Sequence, residues 1–185
     1  MNAGAFFARW RVRLGYPLAV LVLWLARPTP PSIAAGAAIG IAGLLVRAAA
    51  AGHLHKQEVL TTTGPYAYTR NPLYFGSFIL ILGVSLAAHS WPAAVILCGY
   101  FALFYSVVMR REERELFQHH GTAFEQYARA VPLFIPRIMP ANISAASGGS
   151  FSFAKYKKNR EYRAAVGFVL LLATLVLIWC LRLPH

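Results

Sequence analysis

Two polar stretches interrupt an apolar chain, and between them they hold five of its six glutamates. The first, Gly52 to Asn71, reads GHLHKQEVLTTTGPYAYTRN; the second, Arg110 to Arg137, reads RREERELFQHHGTAFEQYARAVPLFIPR. In the first, Gly64-Pro65 is a turn signal, Tyr66 and Tyr68 follow, and Arg70-Asn71-Pro72 leads into an apolar run. Asn71 suits a helix N-cap and Pro72 the first helical position. The free N–H groups of such a helix start can hold an anionic group. Tyrosines beside it could flank a flat base, and Arg70 could pair with a carboxylate. The plainer reading is a capped helix with interfacial tyrosines. In the second stretch, Glu112, Glu113 and Glu115 stand among Arg110, Arg111 and Arg114. Carboxylates there could hold a cation or take a proton from an acceptor; the plainer reading is a solvated face of i,i+4 pairs. His53 and His55, and the adjacent His119 and His120, have no second ligand cluster at metal spacing, so no metal site is expected. No phosphate-cradling glycine motif or nucleophile elbow occurs.

The elements that must position these groups are membrane spans. Five runs approach the roughly 20 apolar residues that a crossing helix needs: about 6–27, 33–51, 72–88, 91–109 and 164–182. The first draws on Phe6, Phe7 and Trp10 and ends at Pro28-Thr29-Pro30-Pro31, a strong helix stop. The second carries Gly36 and Gly40 in a G-x-x-x-G pair with Gly43 nearby, either a close-approach surface for another helix or a low-volume helix. Leu116, His120, Phe124, Tyr127 and Val131 fall on one helical face, so an amphipathic helical segment is expected over 110–137, with Gly121 as a break. The fold class expected is all-α: a polytopic bundle of about five spans. Residues 1–137 form its main domain, 138–163 a Gly/Ser-rich and basic linker, and 164–182 an added C-terminal span.

Charge sets the expected orientation. With the N-terminus cytoplasmic, all but Arg27 and Arg182 of the 18 Lys and Arg residues lie inside, as the positive-inside rule requires. The long connections then face the cytoplasm and the C-terminus lies opposite. The Asn142-Ile143-Ser144 sequon falls on the inside, where no glycan is expected.

Composition supports the same class. The 185 residues are 58% hydrophobic and 13% charged, with a mean hydropathy of +0.51, where a soluble domain carries about a quarter charged residues. The net charge of +12 follows the loops and reads as topology rather than nucleic-acid binding. Cys98 and Cys180 sit inside apolar runs and read as inert. The N-terminal arginines precede a poor cleavage site, so the first run is expected to be retained.

Taken together, the two polar stretches resemble a known pair of motifs. Thr63-Gly64-Pro65-Tyr66-Ala67-Tyr68-Thr69-Arg70-Asn71-Pro72-Leu73-Tyr74-Phe75-Gly76 resembles the T-x-G-P-Y-x-x-x-R-H-P-x-Y-x-G signature of the isoprenylcysteine carboxyl methyltransferase family. The phospholipid N-methyltransferases carry a related version. Glu112-Glu113, Leu116, Gly121, Phe124, Tyr127, Val131-Pro132 and Phe134-Ile135-Pro136-Arg137 resemble its second signature, one helical hairpin later. Asn71 stands where His is usual, His120 replaces a Phe and Leu133 an Arg. Asn cannot titrate near neutral pH, so a positioning role survives there and an imidazole proton does not.

The resemblance implies a membrane enzyme that binds S-adenosylmethionine without a Rossmann domain and takes a lipid-like or prenylated acceptor from the bilayer. Methyl transfer from a sulfonium needs alignment and exclusion of water rather than a protein nucleophile. On this reading Gly64, Pro65, Tyr66, Tyr68, Asn71, Pro72, Leu73 and Tyr74 shape the cofactor pocket. Glu113, with Glu112, meets the cofactor's ammonium or sulfonium, and Arg70 and Arg137 meet carboxylates. Carboxyl O-methylation of a prenylcysteine is the expected reaction, and N-methylation of a phospholipid amine an alternative. A sterol-reductase-like NADPH enzyme shares a relative of the first motif, but Leu73 and Ser77 depart from it. A non-catalytic lipid-binding bundle is the third alternative. Membrane lipids are the expected surroundings and nucleic acid is not an expected partner.

Overall fold

A computed structural model describes residues 3–55, 59–142 and 149–182, with side chains from Leu14 onward. Lys56, Ile143 and Ser144 of the sequon, most of the Gly/Ser-rich linker and the side chains of Phe6, Phe7, Arg9, Trp10, Arg11 and Arg13 lie outside that description. Among the described residues every regular element is helical: α1 (Ala3–Leu25), α2 (Pro30–His53), a 3-10 turn (Gly64–Ala67), α3 (Pro72–Ala88), α4 (Trp91–Ala130), α5 (Phe153–Lys158) and α6 (Tyr162–Leu181). Among the described residues, α2, α4 and α6 are long and apolar enough to cross a membrane, and Leu14–Leu25 and Pro72–Ala88 are shorter apolar helices. The chain is an all-α membrane helix bundle, in which α1, α2, α3, α4 and α6 carry the five apolar runs.

The central unit is the α2–α3 pair, joined by glycines. A Cβ at Gly36 would lie 2.4 Å from the Gly83 carbonyl oxygen, and one at Gly43 would lie 2.8 Å from that of Gly76. Small residues let backbones meet in lipid, where dispersion contacts replace the hydrophobic drive. The glycine stripe of α2 therefore serves contacts within the chain.

At one end of the bundle, Thr29 and Ser32 form a capping box at the start of α2. The Ser32 hydroxyl also reaches the Ala87 carbonyl at 3.2 Å, and the Arg27 N–H donates to the Ala88 carbonyl at 2.8 Å. These bonds occupy carbonyls of the last turn of α3, which an apolar medium would otherwise leave costly. Ala26, Ala87, Ala88 and Leu175 of α6 form the buried cluster there.

α6 runs along α2 from end to end. Glu161, at its start, pairs with Arg47 Nε at 2.5 Å, and Arg47 also donates to Ser77 Oγ and to the Leu73 carbonyl. Midway, the Phe168 ring occupies the notch left by Gly40. Arg182 then donates to the Ala26 carbonyl at the far end. The added C-terminal span thus belongs to the same bundle. The segment before it also closes the end of α2: Ser152 N–H donates to the Gly52 carbonyl at 3.0 Å and Asn159 Nδ2 to the Ala51 carbonyl at 2.9 Å.

One difference from expectation concerns α4. The expected span 91–109 and the segment after it are one helix, which runs on past the apolar stretch to Gly121. Only there does the backbone leave helical values, at φ 49° and ψ −122°, a conformation glycine adopts without a Cβ clash. The helix ends at Ala130, and the remaining residues to Arg137 run without helix. Of the proposed amphipathic face, Phe124, Tyr127 and Val131 are buried together, whereas Leu116 before the kink is exposed.

Candidate active site

The site is built where the start of α3 meets the far part of α4 and the segment that follows it. Asn71 is the N-cap of α3 and Pro72 its first residue, but the Asn71 side chain makes no capping bond. Its Nδ2 donates instead to the Leu133 carbonyl at 3.0 Å. Thr69 Oγ1 donates to the Phe134 carbonyl at 2.9 Å. Backbone bonds continue the seam: Arg70 N–H to the Pro132 carbonyl, Arg137 N–H to that of Tyr68 and Ala141 N–H to that of Ala67, each at 2.9 Å. The two motifs therefore fold as one laced unit, and the first turn of α3 lies beneath the tail, with Pro72 fully buried.

Aromatic side chains hold that unit to the bundle. The Phe134 ring meets Phe75, Phe78 and Phe101, each at 5.8 Å between centroids. Tyr127 Oη donates to the Tyr66 carbonyl at 2.8 Å in a buried bond. Tyr66 itself is buried; loss of solvation pushes its phenol above the ordinary range, and a charge on Tyr127 or Glu112 would push the same way. Gly64 has φ +61°, and a Cβ there would come within 2.5 Å of the His53 ring. The motif glycine thus permits both a turn and a close approach to α2.

Two acidic contacts carry the chemistry-bearing groups. Arg70 Nη1 lies 2.5 Å from Glu113 Oε1, with side-chain exposures of 15% and 22%. Arg70 Nε and Glu113 Oε1 are both shielded from water, and Arg70 Nε has no hydrogen-bond partner. Tyr74 Oη donates to Glu112 Oε1 at 2.5 Å, and its ring stands edge-on to Tyr105 at 5.2 Å. The structure thus brings Arg70, Tyr74, Glu112 and Glu113 together across α3 and α4.

The other expected residues fall differently. Tyr68 is exposed and meets Arg137 through the backbone. The Arg137 guanidinium donates to the Ala130 carbonyl at 2.5 Å, where it caps the end of α4. Leu73 lends its carbonyl to Arg47 and Ser77, and Pro65 lends its carbonyl to the Tyr68 N–H at 3.2 Å. Sequence reasoning passed over Thr69, whose short hydroxyl inside the motif was the available signal, and it used Arg47 for topology alone. Among the described residues no three of His, Cys, Asp and Glu gather as a metal site would require.

A polar, laced segment set at one end of an apolar helix bundle marks the chain as a membrane protein. The chain belongs to the phospholipid methyltransferase family, whose profile matches residues 10–123. It is 41% identical over 83 residues to a nickel-cobalt-cadmium resistance protein of Alcaligenes xylosoxydans xylosoxydans, covering 45% of this chain and 38% of that one. It is 34% identical over 84 residues to a protein-S-isoprenylcysteine O-methyltransferase of Schizosaccharomyces pombe, covering 45% and 36%. Over 75 residues it is 32% identical to a methanethiol S-methyltransferase of Crocosphaera subtropica, covering 40% and 28%. The chain therefore spans well under half the length of these relatives. No solved structure gives a significant match.

Proposed function

We propose that this protein transfers a methyl group from S-adenosylmethionine to a lipid-like acceptor at the cytoplasmic membrane face, most like isoprenylcysteine carboxyl O-methylation. The observation that carries the reading is the Arg70–Glu113 pair with its unpartnered Arg70 Nε. A shielded guanidinium N–H with no partner, next to a mostly buried carboxylate, matches the carboxylate and ammonium of an amino-acid group. S-adenosylmethionine has such a group and, when bound, supplies an electrophilic methyl on a sulfonium.

The residues then have distinct tasks. Arg70 Nε binds the donor's carboxylate and Glu113 its ammonium. Tyr74 holds the Glu112 carboxylate toward the same space, where its negative charge favours a sulfonium. The lacing by Asn71, Thr69 and Tyr127 keeps the two motifs in register, which alignment of donor and acceptor requires. A carboxylate or thiolate acceptor arrives ready to attack. An amine acceptor must lose a proton, and the exposed Glu112 is the group to take it; this supports phospholipid N-methylation as the second reading. The cytoplasmic assignment rests on the arginines gathered at the site's end of the bundle, Arg70, Arg110, Arg111 and Arg114.

Calorimetric titration of the detergent-purified protein with S-adenosylmethionine and S-adenosylhomocysteine, with NADPH as control, tests this. Binding of the sulfur compounds, weakened about tenfold or more (about 1.4 kcal/mol) in Glu113→Gln, is expected. Binding of NADPH alone would move the protein to the reductases, and binding of none would leave a non-catalytic bundle.

A further inference from the structure

α3 and α6 face each other with two matched stripes. Ser77, Leu80, Ile81 and Val84 of α3 recur at the spacing of one helical face, and so do Ala164, Gly167, Phe168 and Leu171 of α6. Stripes so matched would normally interdigitate. Here they leave an open groove of about 320 Å³ between them, with Arg47 and Tyr105 at its polar end. That volume lies at the lower end of the range for small-molecule sites. Along each stripe the groove extends roughly 10 Å, at about 1.5 Å per helical residue.

Gly167 points to what this space is for. Gly36, Gly40, Gly43 and Gly83 each sit where a Cβ would collide with a neighbour, so each serves close helix contact. Gly167 lines the groove, and a Cβ there would meet nothing within 4 Å. A helical glycine costs about 1 kcal/mol relative to alanine and here makes no compensating contact. Its effect is to keep the space open.

The polar end leads to the candidate site. Arg47 is held there by Glu161, Ser77 and the Leu73 carbonyl. Tyr105 lines the groove and also meets the Tyr74 ring, whose hydroxyl lies on Glu112. A molecule with its chain between α3 and α6 would therefore present its head beside Tyr74 and Glu112.

We propose that α6, which lies beyond the family-matched residues, completes a groove for the single hydrocarbon chain of the methyl acceptor, with Gly167 setting its width. This rests on the methyltransferase reading above. The occupant is single-chained because the groove holds only about 320 Å³, is apolar along its length and is polar only at the end with Arg47 and Tyr105. A diacyl lipid would have to leave its second chain outside.

The test uses the full chain in nanodiscs of dioleoylphosphatidylcholine, so that diacyl lipid is always in excess. The probe is dodecanoic acid with a diazirine in its chain; labelled peptides are mapped after photolysis, and S-adenosylhomocysteine affinity is measured in parallel. Labelling concentrated on 77–84 and 164–171 is expected. It should fall about tenfold, the scale of a pocket losing its apolar contacts, in Gly167→Phe. It should persist in Leu170→Phe, on the exposed side of α6. Unchanged S-adenosylhomocysteine affinity in both variants shows that they are folded; if Gly167→Phe fails that check, the smaller Gly167→Val replaces it. Labelling spread over all lipid-facing helices, or unaffected by filling position 167, overturns the groove. Labelling of the groove in a wild-type protein that binds no S-adenosylhomocysteine overturns its role as an acceptor site while leaving a chain-binding cleft.

Discussion

The Phe168 ring occupies the space that a side chain on Gly40 would need: its Cζ lies 2.0 Å from where a Cβ at residue 40 would stand. The fifth span is thereby keyed to the second at one position, between the Arg47–Glu161 pair and the Leu175 cluster. Gly40→Val should expel the ring and lower stability by about 1–3 kcal/mol, the range for an overpacked contact. Thermal unfolding in detergent would measure it. Phe168→Ala should destabilise too, and the double variant should lose less than the sum, because both changes break one contact. Additive losses would mean that the ring and the notch are not coupled.

Arg70 and Glu113 predict a second non-additivity. Removing one partner of a mostly buried pair leaves a charge uncompensated, which costs about 3–5 kcal/mol in fully buried cases; with side-chain exposures of 15% and 22% the loss here should fall below that range. Arg70→Met and Glu113→Gln should each lower the melting temperature more than the double variant does relative to either. Donor affinity should be lost in all three. Recovery of stability without recovery of binding would separate the pair's effect on folding from its place in the site.

The lacing of the two motifs predicts a local effect. Asn71 Nδ2 and Thr69 Oγ1 hold the backbone of 133–134, and a net hydrogen bond contributes about 0.5–1.5 kcal/mol. Asn71→Leu should speed amide exchange in 131–137 by up to about tenfold. Asn71→His, which restores the residue usual in the resembled motif, keeps a ring N–H donor and should leave exchange slow. Equal exchange in wild type and Asn71→Leu would show that the side chain does not hold the tail.

Much of this arrangement was legible in the sequence, and the remainder was hidden for identifiable reasons. The Pro28-Thr29-Pro30-Pro31 run marked the break between α1 and α2, and Pro72 marked the start of α3, because proline fits the first turn of a helix and disrupts its interior. The pairing of Arg70 with Glu113 was not visible: each was expected to meet a ligand, and residues so far apart in the chain meet only once α3 and α4 are packed. The glycines of α2 advertised a close approach without naming α3 and Phe168 as what approaches, since a missing side chain carries no complementarity. The charges after Met109 set the end of the apolar run and so of the expected span, yet hydrogen bonding carries α4 through them to the expected break at Gly121. Arg47, counted as a topology marker, gained its ion pair from a span more than a hundred residues later.

Tyr66 makes the last prediction, one of pH. Burial raises its phenol above the ordinary range, so the folded protein holds that proton where the unfolded chain releases it, above about pH 10. Stability from this group is therefore fully present below that pH and falls as pH rises beyond it. Tyr66→Phe removes the titrating group while keeping the ring, so alkaline loss of stability should be shallower in the variant than in wild type. Thermal melts from neutral pH to about pH 11 on both proteins measure the difference, against a background of other tyrosines and lysines common to both. Parallel curves would mean that Tyr66 reaches solvent in the folded state, and that the seam between the Tyr66 carbonyl and Tyr127 opens before the bundle unfolds.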